Sequence, residues 1–344
     1  MDQSRRKFIS MAGAAGLGLP LLASPFSKSG EYLEENVVIK AAGLKKGDTI
    51  AITSPAGAVW YPEGIEKFKG IIQDLGFKVK PGKTLTEKFG YLAGKDELRA
   101  QELNDFFTDK SVQGIFCMKG GWGCARLLPM LDYYNIRMNP KVFMGFSDIT
   151  SLLVAIQART GLVTFHGPVG NSGWNDFSVS YVKSVLMDKE QTLLNVGPKE
   201  EDLPVVINPG KARGVLVGGN LSVLAGIIGS TYLPQWKNKI LFLEETEEEP
   251  YSIDRMLTQL RLAGVLENIS GFVFGKCVKC EAEEPEKSFT FMEVVDQHIK
   301  PLGIPSFYGA MIGHIENKLT VPLGIMAEMN ADKGTIQLLE PAVS

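Results

Sequence analysis

The segment Met144-Gly145-Phe146-Ser147-Asp148-Ile149-Thr150 puts a hydroxyl where acyl-transfer chemistry could use one. The apolar run Val142-Phe143 before it reads as a buried strand, and Thr150 to Ile156 after it reads as a helix. A serine on such a strand-to-helix turn is pushed out over the sheet edge, facing free N–H groups at the helix start. Ile149 stands where the G-x-S-x-G pattern has its second glycine, and a Ser147 that only caps the helix fits the same residues. A serine hydroxyl is a weak nucleophile and needs a base, most often histidine. The chain has three. His298 falls on an apolar helix face with Phe291, Val294 and Val295 and reads as a core-edge residue. His166 closes a strand before Gly167-Pro168, on the rim expected for Ser147, and His314 lies in the loop Gly313-His314-Ile315-Glu316-Asn317. The residues alone leave both in play.

A base histidine also needs an acceptor on its second ring nitrogen. Glu244 follows the apolar strand Ile240 to Leu243 directly and is the member of the acidic run 244–249 expected to point inward. Glu247 to Glu249 read as a solvated loop. Negative charge developing on a substrate oxygen must meet fixed N–H donors. The amide of Asp148 is one candidate, and Lys119-Gly120-Gly121-Trp122-Gly123 supplies the other, at Gly121. That loop lacks the third glycine of a dinucleotide site, since Arg126 and its neighbours follow.

The elements that must carry these groups alternate. Between residues 48 and 170, strands at 48–53, 77–80, 112–118, 142–146 and 163–165 alternate with helices at 62–75, 96–108, 124–131 and from Thr150. This pattern predicts a parallel sheet covered on both faces, with the working rim at the carboxyl ends of its strands. The fold class expected is α/β. It comprises a parallel-sheet domain of flavodoxin or Rossmann type over 36–170, a connection over 171–211 with one helix at 178–187, and a smaller mixed, β-rich domain over 212–344. In the last, Val215 to Asn220 leads into an apolar helix from Leu221, Ser252 caps a helix ending at Gly264, and Thr290 with Glu293 forms a capping box.

At 44% hydrophobic and 22% charged residues the composition is that of a globular protein. No Lys/Arg stripe suggests nucleic acid, and a formal charge of -3 argues against anionic membranes. Ser4-Arg5-Arg6-Lys7-Phe8-Ile9, followed by a Gly/Ala-rich apolar run to Leu22, matches a twin-arginine export signal over residues 1–27. The expected destination is the periplasm, with a cytoplasmic location as the alternative and no stable membrane anchor after cleavage. Cys277-Val278-Lys279-Cys280 reads as small buried thiols or one disulfide rather than a zinc site. No metal or cofactor is expected.

The chain resembles the LD-carboxypeptidase family, the serine peptidases that trim murein tetrapeptides, from about Leu44 to its C-terminus. The resemblance rests on six motifs in order. They are Leu44-Lys45-Lys46-Gly47-Asp48-Thr49-Ile50 with Ser54-Pro55, then Gly120-Gly121-Trp122-Gly123 with Arg126-Leu127-Leu128-Pro129, then Gly145-Phe146-Ser147-Asp148-Ile149-Thr150. Gly218-Gly219-Asn220-Leu221 follows, then Leu243-Glu244-Glu245 with Pro250-Tyr251 and Arg255-Met256-Leu257, and finally Gly313-His314 with Pro322-Leu323-Gly324. Two departures stand out. Lys119 replaces an arginine, losing its bidentate fork, and Cys124 replaces a small residue. The resemblance implies a triad of Ser147, Glu244 and His314 in a cleft between two domains, with Gly120, Trp122, Gly219 and Asn220 against the substrate, commonly in a homodimer. It implies hydrolysis between an L-centre (diaminopimelate or lysine) and the terminal D-alanine through an acyl-enzyme. Microcin C self-immunity proteins share the triad but cleave peptidyl-nucleotide links, for which Trp174 or Trp122 could serve as a platform. A catalytically idle periplasmic binder of murein peptides is the reading from another class.

Overall fold

In a computed structural model, residues 37–194 and 203–344 are described. The leader expected over 1–27 and part of the connection expected over 171–211 lie outside them.

Five short strands form the first layer: Thr49–Thr53 (β1), Lys78–Pro81 (β2), Gly114–Cys117 (β3), Val142–Gly145 (β4) and Thr164–His166 (β5). They lie parallel in the order β2-β1-β3-β4-β5, the flavodoxin-type order, whose sites lie beyond the strands' carboxyl ends. Every residue of β3 and β4 is buried, as expected of strands covered on both faces. Helices Pro62–Asp74 (α1), Asp96–Thr108 (α2), Tyr133–Met138 (α3) and Thr150–Thr160 (α4) accompany them. In α1, Ile65, Phe68 and Ile72 recur at helical spacing and are buried, and Pro62 opens the helix where its missing N–H is harmless. The helix expected over 124–131 is a 3₁₀ segment, Cys124–Met130, with Pro129 inside it. Proline there removes a backbone donor and clashes with the preceding turn, so an α-helix cannot form.

Helix α5 (Asp176–Leu186) and strands Leu193–Leu194 (β6) and Val205–Asn208 (β7) occupy the segment expected as a connection. After them come Lys211–Asn220 (β8), Leu221–Ile227 (α6), Lys239–Thr246 (β9), Pro250–Leu262 (α7), Gly271–Val278 (β10), Phe291–Ile299 (α8), Ser306–Tyr308 (β11), Val321–Leu323 (β12), Met326–Asn330 (β13) and Thr335–Leu338 (β14). Eight of these strands form a mixed sheet ordered β6-β14-β13-β8-β9-β10-β11-β7, with β8 to β11 parallel. Strand β12 leaves that sheet and closes the first one, pairing antiparallel with β5 through Val321 and His166. Thr290 and Glu293 form the expected capping box. Ser252 does not cap α7, because Pro250 already starts the helix two residues earlier.

Helix α4 joins the two layers. Its first seven residues, Thr150 to Ile156, are all buried, and it packs against β4 and β5 on one side and β8 and α6 on the other. A helix apolar all round has no solvent face and belongs between layers. Each Leu, Val or Ile so buried contributes about 1.5–3 kcal/mol of transfer free energy. The Ser147 turn at its N-terminus is therefore held by both layers.

Candidate active site

Strand β4 ends at Gly145, Phe146 is extended, and Ser147 turns the chain with a positive φ of 63°. A non-glycine residue in that region is strained, and such strain persists only where the surroundings fix it. The turn is tight enough that a Cβ at Gly145 would meet Ile149 Cγ2 at 2.8 Å. Ile149 itself is fully buried, which is why the second glycine of the nucleophile pattern is absent: that position faces the core.

His314 reaches Ser147 from the other end of the chain. Its Nε2 lies 3.1 Å from Ser147 Oγ and its Nδ1 2.9 Å from Glu244 Oε2. The pairing is consistent when Nδ1–H donates to the carboxylate and the serine O–H donates to Nε2. Glu244 follows the apolar run Ile240 to Leu243 within β9, in register with Asn220 of β8, and is wholly buried. Its Oε1 has no hydrogen-bond partner, so the imidazole is the group that meets this carboxylate. A buried carboxylate favours a neighbouring cation strongly, which suits an imidazolium formed during reaction. Gly313, at φ 134°, brings the histidine loop onto Glu244: a Cβ there would stand 3.3 Å from the glutamate side chain. Phe146 lies beside the His314 ring at 4.8 Å between centroids. Sequence reasoning missed Lys318. It is buried, it donates to the Ile315 carbonyl, and its ammonium lies over the Phe146 ring. Lys318 thus braces the loop that carries His314, and burial pushes its pKa down.

The glycine loop closes over Ser147. A Cβ on Gly120 would lie 2.9 Å from Ser147 Oγ, so only glycine fits. The Gly120 carbonyl accepts from Gly57 N at 3.2 Å, joining the loop to the turn after β1, and Ser54 Oγ donates to the Gly57 carbonyl. Two further anchors escaped the sequence reading. Asp148 Oδ2 accepts the Cys124 amide at 2.8 Å, tying the end of the loop to the nucleophile turn. Burial pushes the Asp148 carboxyl up, against the hydrogen bonds from Cys124. Arg99, fully buried on α2, donates to the carbonyls of Pro55 and Gly123 and pairs with Asp96. Its only sequence signal was a cation on the helix face that carries Ala100, Leu103, Phe106 and Phe107.

His166 sits on the same rim but makes no hydrogen bond to Ser147. Its ring packs edge-on against Phe146 and Phe242, and burial pushes its pKa down to about 4. His298 is buried at the edge of the core, 2.6 Å from Asp254. Asn220, expected against the substrate, is 3% exposed. Its amide donates to Glu245 and its carbonyl oxygen caps α6, so the side chain is used within the fold. Gly219 permits a close approach to Thr150 rather than to a ligand. Trp122 is half exposed in the glycine loop, whereas Trp174 donates to the Val169 carbonyl and tilts onto Phe68. Cys277 and Cys280 form a disulfide, and Cys117 and Cys124 are buried thiols. Among the described residues no cluster of His, Cys, Asp or Glu could hold a metal ion, and no helix is long and apolar enough to cross a membrane.

The patterns of the LD-carboxypeptidase N-terminal and C-terminal domains match residues 50–167 and 213–329, together more than half of the chain. The sequence is 37% identical over 311 residues to the probable murein peptide carboxypeptidase of Bacillus subtilis (strain 168), covering 89% of this chain and 95% of that protein. The structure resembles that of muramoyltetrapeptide carboxypeptidase from Oxalobacter formigenes, with a TM-score of 0.75 and 27% identity over 84% of this chain and 97% of that one. It also resembles the apo microcin C7 self-immunity protein MccF, with a TM-score of 0.79 and 29% identity over 89% of this chain and 100% of that one.

Proposed function

The chain belongs to the LD-carboxypeptidase family, and from that premise we propose that it is a serine-type carboxypeptidase releasing the terminal D-alanine of murein tetrapeptides. The observation that carries the reading is the continuous line Ser147 Oγ, His314 and Glu244, hydrogen-bonded at 3.1 and 2.9 Å. His314 Nε2 takes the hydroxyl proton as Oγ attacks the carbonyl of the L-centre. Glu244 holds the imidazolium. The amide of Asp148, in the first turn of a helical segment where N–H groups lack internal partners, and that of Gly121 meet the oxyanion. The C–N bond then breaks and His314 returns the proton to the leaving amine. Water, activated by the same imidazole, hydrolyses the acyl-enzyme.

The fold likeness to MccF supports a second reading, hydrolysis of a peptidyl-nucleotide conjugate. Trp174 is packed into the fold, leaving the half-exposed Trp122 as the platform for a base. A non-catalytic murein-peptide binder is the weaker reading, because nothing in binding requires a buried carboxylate behind an imidazole and a hydroxyl. We further propose export by the twin-arginine route. The Arg5-Arg6 pattern and the Cys277–Cys280 disulfide support it, since disulfides persist in oxidising compartments. A homodimer is carried forward from the family resemblance.

Purified protein incubated with defined tetra- and pentapeptides, followed by mass analysis, tests the activity. Loss of one D-alanine from the tetrapeptide alone is expected. An intact tetrapeptide beside a cleaved peptidyl-nucleotide would transfer the assignment to the second reading.

A further inference from the structure

A peptidase that removes only the last residue has to meet the free carboxylate there. A carboxylate leaving water for a closed site needs a cation that is not already spent. The two segments that touch Ser147, 119–126 and 311–319, carry Lys119, Arg126 and Lys318, and Arg99 lies behind the first of them. Three of these cations are committed. Arg99 donates to the carbonyls of Pro55 and Gly123 and pairs with Asp96. Arg126 pairs with Asp96 as well. Lys318 donates to the Ile315 carbonyl within its own loop. Lys119 is different. Among the described residues its Nζ makes one hydrogen bond, to the Ala58 carbonyl at 3.4 Å. That is long for a hydrogen bond, and an ammonium has further donors to offer.

Lys119 also stands where the carboxylate must come. Only the bonds C–N, N–Cα and Cα–C separate a scissile carbonyl from the terminal carboxylate, so the two carbons are at most about 4 Å apart. The anion therefore stays beside the loop that faces the attacked carbonyl. Gly120 follows Lys119 directly, and a Cβ on it would stand 2.9 Å from Ser147 Oγ and 3.4 Å from the Asp148 amide nitrogen. A Cβ on Gly57 would stand 3.0 Å from the Gly120 carbonyl oxygen and 3.3 and 3.5 Å from Lys119 Cε and Nζ. The ammonium thus rests against the same two glycines whose hydrogen bond holds the loop over Ser147. The carboxylates of the site are taken, Asp148 by the Cys124 amide and Glu244 by His314.

We propose that Lys119 receives the terminal carboxylate of the peptide and so makes the enzyme act on the chain end. The proposal rests on the carboxypeptidase reading above and names the residue that recognises the free carboxylate. A compact ammonium on a flexible stem can follow the anion as the leaving amino acid departs. One further residue, as in a pentapeptide, replaces that carboxylate by a neutral amide and leaves the ammonium without its partner.

The test compares kcat/KM for tetrapeptide and for the same peptide ending in a carboxamide, in wild type, Lys119→Met and Lys119→Arg, with thermal melts confirming that each variant folds. Wild type should prefer the free acid about 10- to 100-fold, the effect of one hydrogen bond between charged groups. Lys119→Met should bring the ratio to within about threefold of one by losing rate on the acid, while Lys119→Arg, which keeps the charge, should retain most of the preference. Calorimetry on Ser147→Ala protein, with and without Lys119→Met, reads the same preference in binding without turnover. A wild-type ratio near one, or equal losses on both peptides in Lys119→Met, overturns the proposal and leaves the function standing. Hydrolysis of neither peptide by wild type overturns both.

Discussion

Replacing Gly120 by alanine places one methyl group against Ser147. Its backbone lies outside the left-handed region, so alanine can adopt it. The new Cβ would stand 2.7 Å from Ser147 Cβ and 2.9 Å from Oγ, whereas carbon atoms settle at about 3.5–4.0 Å. The two must part by roughly 1 Å. The loop has little room to retreat, because the Gly120 carbonyl is bonded to Gly57, a Cβ on Gly121 would already meet Gly57 at 3.3 Å, and Arg99 ties both loops together. The serine must therefore yield, and the 3.1 Å contact to His314 opens beyond hydrogen-bond range. A displacement of that size at a reacting group costs about a hundredfold in rate, or about 2.7 kcal/mol of barrier, beside about 1–3 kcal/mol of stability from overpacking. D-alanine release from tetrapeptide, with kcat and KM measured separately, is the assay, and the loss should fall on kcat. Gly70→Ala is the control. A Cβ there meets nothing within 4 Å, so turnover should hold while helix α1 gains about 0.5–1 kcal/mol. A Gly120→Ala enzyme turning over within threefold of wild type would refute the contact argument and the placement of the glycine loop against Ser147.

Glu244→Gln keeps the shape of the buried side chain but lets its amide donate to Nδ1, reversing the tautomer so that Nε2 can no longer accept the serine proton. kcat should fall about 10³–10⁴-fold, and a drop below tenfold would remove Glu244 from the mechanism. His166, buried among aromatic rings, is expected to act on stability. With its pKa held at about 4 against about 6.5 in the unfolded chain, the unfolded state binds more protons between those values. Stability is therefore lost as pH falls from 6.5 to 4, by roughly 3 kcal/mol from this residue. Urea midpoints of His166→Gln should lose that part of the acid sensitivity while turnover stays within about tenfold, and an inactive variant with a native melt would reopen the choice of base. The Cys277–Cys280 bridge closes a very short loop, so the double serine variant should lose no more than about 2 kcal/mol. A larger loss in denaturant titration would mean that the bridge supports β10 as well.

Ser147 and Glu244 were legible because each comes just after a strongly apolar run. Ser147 follows four buried residues of β4, and Glu244 follows the apolar run of β9. The histidine was not decided by residue types, since His166 and His314 both reach the rim. What separates them is the local packing: Phe146 and Phe242 flank His166, whereas Gly313 carries His314 onto Glu244. The place of Asn220 beside two glycines gave no sign that its side chain also completes a helix cap and meets a buried carboxylate. Strand β12 reads locally as a strand, but its pairing with β5 is a long-range contact that no periodicity encodes. Arg99 and Lys318 were missed for a related reason. A buried cation shows its purpose only through the carbonyls it meets, and those come from distant loops.

The acyl-enzyme on Ser147 is the step on which the account turns. Rapid-quench mass spectrometry of the protein mixed with tetrapeptide tests it directly. An adduct of the tripeptide less one water should map to the fragment containing Ser147, appear with the first equivalent of D-alanine, and vanish in Ser147→Ala together with turnover. Continued D-alanine release by Ser147→Ala at the native rate, with no adduct in the wild type at any time, would contradict it.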